Sequence, residues 1–178
     1  MNGSDLKICR VWMTVFISGL VLSGLTAIPL EWELGLLADW FGVRDGIGEG
    51  TTGLALWIGR VYEGLQDVSA THPFMAYGFD WLAFGHLMIA LVMVGAWIDP
   101  VRNKWLFTFA KMACVLVIPW AFVFGAMRGI PVPWRLIDCS FGVLGLVPLI
   151  LAERAAARME RAFPSAEECG AVPKSHES

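Results

Sequence analysis

An aspartate and a histidine set inside apolar runs, Asp138 and His86, offer more chemistry than any other pair in this sequence. A carboxyl and an imidazole can hand a proton between them, and an ionisable group inside a membrane is a candidate for function by default. Asp80, His72, Arg128 and Arg135 map to the same end of the predicted helices, so six ionisable groups gather there. His72 and His86 would supply a ligand pair for a heme or a metal ion, as bundle cores can. Asp138 and His86 would supply a proton or ion relay.

Plainer readings stand beside these. Arg135 and Asp138 are i, i+3 neighbours, and a charge pair between them would staple a turn to a helix. A single imidazole is also satisfied by a hydrogen bond to a neighbouring helix. His86 lies six residues from Asp80, about 600° of helix rotation, so those two occupy different faces. A functional centre at His86 therefore takes its partner from another helix. Asp138 sits at matching depth with Arg128 setting the charge, and the imidazole is expected to point inward toward the Asp138 end of the fourth helix.

Other chemistry is weakly represented. No glycine-rich nucleotide loop, nucleophile elbow or HExxH helix occurs. Cys9, Cys114, Cys139 and Cys169 show no CxxC spacing, and no disulfide framework is expected. Cys139 is turned about 100° from Asp138 on a helix, which is poor geometry for a shared ligand pair. Lys111 is expected to extend its amine to the near surface, with Asp99 as a partner. Beyond a heme or metal at His86 and His72, no cofactor is expected.

The elements that position these residues are membrane helices. The chain is 57% hydrophobic with a mean hydropathy of +0.62, and its apolar residues fall in blocks instead of at amphipathic spacing. The reading is an all-α polytopic membrane protein, a four-transmembrane-helix bundle with amphipathic extracytoplasmic helices between the first and second spans. The spans are placed at 11–30, 80–98, 105–127 and 135–152, after a cytoplasmic tail over 1–10. An inner turn covers 99–104 and an outer turn 128–134. A helical extension follows over 153–163, and a polar disordered tail over 164–178. The first block reads as a permanent helix instead of a cleaved signal, because its apolar stretch is too long.

Charge sets the orientation. With the N-terminus inside, the inner segments hold Lys7, Arg10, Arg102, Lys104, Arg154, Arg158, Arg161 and Lys174, and the outer ones only Arg44, Arg60, Arg128 and Arg135. Tryptophans agree: Trp12, Trp97 and Trp105 form an inner belt, Trp81 and Trp134 an outer one. The expected location is the cell membrane, multi-pass, with both termini cytoplasmic.

The segment 31–79 is too apolar to be a loose loop. Trp32, Leu36 and Trp40 form one stripe of a first interfacial helix. Thr51 and Thr52 precede a second helix with an apolar face of Leu54, Trp57, Ile58, Val61, Leu65 and Val68 and a wet face of Arg60, Glu63, Gln66 and Asp67. Pro73 suits the first turn of the next helix, and Pro119 should bend the third span. Gly19, Ser23 and Ala27 recur at intervals of four, and Gly142 and Gly145 lie along the fourth helix. Such small residues form packing faces between membrane helices, within a chain or between subunits.

These features point to a non-catalytic small subunit or assembly partner of a membrane complex. Its partners would be the lipid bilayer and further copies or other membrane subunits. Nucleic acid is excluded, since a net charge of −3 with few clustered cations offers no footprint for it.

Overall fold

A computed structural model describes residues 3–162. The tail expected over 164–178, with Lys174 and Cys169, lies outside the described residues, as does the last residue of the expected extension. The described chain is all helical: α1 (Gly3–Thr26), α2 (Leu30–Trp40), α3 (Gly53–Thr71), a one-turn 3-10 helix (Pro73–Ala76), α4 (Tyr77–Ile98), α5 (Lys104–Met127) and α6 (Val132–Arg161). Four of them, counting the 3-10 turn with α4, are long and apolar enough to cross a membrane: Gly3–Thr26, Pro73–Ile98, Lys104–Met127 and Val132–Arg161.

The helix limits follow local chemistry. α1 runs on from Gly3 with no breaker until Pro29, which occupies the cap position of α2. Thr52 holds the extended cap position of α3, although its hydroxyl makes no capping bond. Pro73 opens the 3-10 turn, where its missing N–H costs nothing. Asn103 Nδ2 donates to the carbonyls of Gly95 and Asp99 at 3.0 and 2.9 Å, closing the end of α4. Gly129 turns the chain after α5 with φ +69°, a conformation that side chains disfavour. The expected fourth span and its extension form a single 30-residue helix with Pro148 inside it.

α1 packs along both α4 and α6, and α6 along α5, while α4 and α5 touch far less despite their short connection. Their common core is Cys9, Met13, Phe16, Met93, Phe107 and Leu149, closed by Ala96, Ala110, Ala152, Ala155 and Ala156. Alanines there let backbones approach, and close packing, not water exclusion, holds such helices together in lipid. Large side chains such as Leu91, Leu116 and Leu144 face outward.

A second core lies between α2 and α3, built from Leu34, Ala38, Val43, Ile58 and Tyr62, with Trp134 of α6 packed against it. Trp134 therefore ties α6 to the α2–α3 pair. Trp32 and Trp40 stay 66% and 84% exposed, so α2 has one apolar face for α3 and another on the surface. Arg60, Glu63, Gln66 and Asp67 are exposed on α3.

Candidate functional site

No hydrogen bond or ion pair joins any two of the six expected site residues among the described residues. His72 bonds Thr71 Oγ1 through Nδ1 at 2.8 Å and stands edge-on to Phe74. His86 lies well down α4: the stretch from Tyr77 to His86 alone spans about 14 Å at 1.5 Å per residue. One ion cannot take both histidines in this arrangement. Among the described residues no group of three or more His, Cys, Asp or Glu side chains is placed to hold a metal ion. Asp80 and Arg128 are exposed.

The expected Arg135–Asp138 pair is absent among the described ion pairs. Arg135 instead donates through Nε to the Ile130 carbonyl at 2.7 Å. Its methylenes lie against Gly125, where an added Cβ would meet them at 2.8 Å. The missing side chain at Gly125 gives the guanidinium a route back to the turn, and that backbone acceptor replaces the carboxylate.

His86 does sit at a helix crossing. Its Cβ lies 3.0 Å from where a Cβ on Gly24 would stand, so α1 and α4 meet there at close range. Nδ1 is 2.9 Å from the Leu82 carbonyl of its own helix. That oxygen can only accept, so in the neutral ring Nδ1 carries the proton and Nε2 is left as an acceptor. The ring borders a groove of about 300 Å³ lined by Gly19, Ser23, Phe141, Leu144 and Gly145 among others. His86 shares that groove with Phe141, Leu144 and Gly145 of α6, but Asp138 is not part of the lining.

Gly142 and Gly145 are internal. A Cβ on Gly142 would come within 2.4 Å of the Cys114 carbonyl, and one on Gly145 within 3.1 Å of Cys114 Sγ. Gly19 and Ser23 are exposed and Ala27 is half-buried. A Cβ on Gly19 would meet nothing. The close approach of α1 is at Gly24, one residue off the expected stripe.

The opposite end, around the α4–α5 turn, carries most of the charge pairing. Lys111 Nζ on α5 reaches both oxygens of Glu153 on α6, at 2.7 and 2.6 Å. This corrects the expected partner: Asp99 instead accepts the Arg102 backbone N–H through Oδ1 at 3.0 Å, ordering the turn. Lys104 pairs with Glu160, and Arg158 Nε donates to Asp5 Oδ1 at 2.7 Å. A fourth link joins α1 and α4 without a carboxylate. Arg10 Nε donates to the Trp97 carbonyl at 3.3 Å with its guanidinium 4.7 Å over the indole. The Trp97 indole N–H returns a bond to Thr14 Oγ1 at 3.1 Å.

A further polar group missing from the sequence reading lies on the α2–α3 pair. Tyr62 takes a bond from Gln66 Nε2 at 2.9 Å, and Arg44 sits 6.0 Å over its ring. Arg44 is also paired with Asp39, whose hydrogen bond and charge raise the pKa of the guanidinium above its already high ordinary value. Gly35 leaves room for the phenol. Nothing in the spacing of 39, 44, 62 and 66 announces this group, because it forms only once the two helices fold together.

Comparison with known proteins gives no family model, no curated protein and no solved structure that matches this chain.

Proposed function

We propose that the chain is an integral membrane protein of four spans that serves as a non-catalytic subunit, taking a transmembrane helix of a partner subunit along the outward side of α1. The observation that carries this is the division of small residues on α1. Gly24 is consumed inside the chain, against His86 and Ala83, while Gly19 and Ser23 remain open beside Gly145 at the mouth of a groove of about 300 Å³. Small residues left open on a lipid-facing helix allow a second helix to come close, and packing of that kind is what associates helices in a bilayer. The cation asymmetry supports both termini in the cytoplasm. In that orientation the α4–α5 turn is cytoplasmic, and α2 and α3 form an amphipathic cover on the far side.

A photo-crosslinking residue at Ser23 tests the proposal in the native membrane. A discrete adduct of defined mass from position 23, absent from a control at exposed Val92, supports it. No adduct at either position, or equal lipid adducts at both, overturns it. A mass of twice the chain would replace the partner subunit by a second copy.

The alternatives keep a narrower footing. A proton or ion pathway has His86 Nε2 as an unused acceptor beside the groove, but requires Asp138 to be coupled to it from outside the groove's lining. A heme or metal centre at His86 requires a second ligand from another subunit, since His72 is held by Thr71 and Phe74.

A further inference from the structure

Where α1, the end of α4, the following turn and α6 meet, they enclose a recess of about 690 Å³. Leu6, Ile98 and Met159 give it apolar lining, and Arg10 and Arg102 give it two guanidinium groups. The arginines mark membrane boundaries in the sequence. Arg10 directly precedes the uncharged run Val11–Leu30, and Arg102 follows the α4 run by a few residues.

Neither guanidinium has a carboxylate partner among the described residues. Arg10 is fixed from one side by Trp97, through a single Nε bond and the indole face, and its terminal N–H groups have no acceptor among the described residues. An arginine oriented in this way loses little freedom when it binds an anion. The two acids of the same lining are already engaged. Asp99 Oδ1 accepts the Arg102 backbone N–H, and Glu160 is paired with Lys104, which brings a third cation close by.

We infer that this recess binds the phosphate of an anionic phospholipid, with Arg10 and Arg102 on the phosphodiester oxygens and an acyl chain leaving over the exposed Ile98. Charge selects the anion: paired guanidinium groups suit phosphate oxygens. Depth selects the lipid, because cations at the end of an apolar helix lie at headgroup level. A zwitterionic lipid brings an ammonium group that the same arginines disfavour. The inference rests on the four helices crossing a bilayer, but not on any partner subunit.

The test titrates the purified protein with phosphatidylglycerol and, separately, phosphatidylcholine, counting retained lipids by native mass spectrometry. Phosphatidylglycerol should bind preferentially, and Arg102→Gln should weaken it by about five-fold, the value of one cation at a membrane surface. Arg10→Gln/Arg102→Gln should weaken it further. Arg154→Gln/Arg161→Gln, which removes two cations outside the recess, should leave it within about two-fold. Arg102 has no side-chain hydrogen bond or ion pair among the described residues, so its variant reports binding even if loss of Arg10 disturbs α1. Equal retention of both lipids, or equal loss in the Arg154/Arg161 control, overturns the site. Millimolar inorganic phosphate that displaces the lipid completely would show a free-phosphate site and overturn the lipid assignment. A missing crosslink at Ser23 would leave this result untouched, so failure of the subunit proposal is separately visible.

Discussion

Lys111 and Glu153 join α5 to α6 through a two-oxygen ion pair at 2.7 and 2.6 Å, with side chains only 30% and 38% exposed. With the four helices crossing a bilayer as proposed, that exposed fraction would face lipid or headgroups. Each charge depends on the other, since an unpaired ionised group near hydrocarbon is costly.

Removing one partner should therefore be worse than removing both. Lys111→Met or Glu153→Met alone is expected to lower stability by about 3 kcal/mol, and the double variant Lys111→Met/Glu153→Met should recover most of it. Unfolding in mixed detergent micelles, read by far-UV circular dichroism, gives the cycle. Additive losses would mean the two groups are solvated independently.

Orientation gives a second prediction. In a background with the native cysteines replaced by alanine, Glu49→Cys should react with an impermeant maleimide on intact cells. Asn103→Cys and Ser175→Cys should react only after permeabilisation, because the cation asymmetry of the sequence favours the inner side for both. Labelling of position 103 from outside would reverse the topology.

The long helices were legible because membrane spans announce themselves by uninterrupted apolar length. The tertiary links were less so, for reasons visible in particular residues. Glu153 is one residue past the expected end of the fourth span at 152, outside the apolar run that marks the span, yet antiparallel α5 and α6 bring it to the depth of Lys111. Gly24 lies one residue off the Gly19, Ser23 and Ala27 stripe, and only the packing of α1 on α4 singles it out. Arg135 looked like the partner of Asp138 by spacing, yet the space over Gly125 and the free Ile130 carbonyl offered a better position. The Tyr62 group depends on the fold of α2 on α3 and left no periodic trace.

His86 supplies a third prediction. Its only hydrogen bond among the described residues is to the Leu82 carbonyl within its own helix, so His86→Leu should change stability by less than about 1 kcal/mol. A loss of several kcal/mol in the same detergent assay would show that Nε2 has a partner the fold depends on.

The last prediction concerns the glycines, whose roles differ although their sequence contexts look alike. At Gly142 an added methyl would lie 2.4 Å from the Cys114 carbonyl oxygen and 2.6 Å from Val117 Cγ1. The first obstacle is backbone, so relief requires α5 and α6 to separate. Gly142→Ala should cost about 3 kcal/mol, the upper part of the range for overpacked sites. Gly145→Ala meets the Cys114 thiol at 3.1 Å and the Phe16 ring at 3.4 Å. Both are side chains able to shift, and the cost should stay near 1 kcal/mol. Gly19→Ala meets nothing, so the higher helix propensity of alanine should leave the isolated chain equal or more stable by up to about 1 kcal/mol. Gly19→Leu should likewise spare the isolated chain while abolishing the Ser23 crosslink, because a bulky side chain would fill the space left for the partner helix. If Gly19→Leu unfolds the purified protein, α1 uses that face internally and the outward packing surface does not exist.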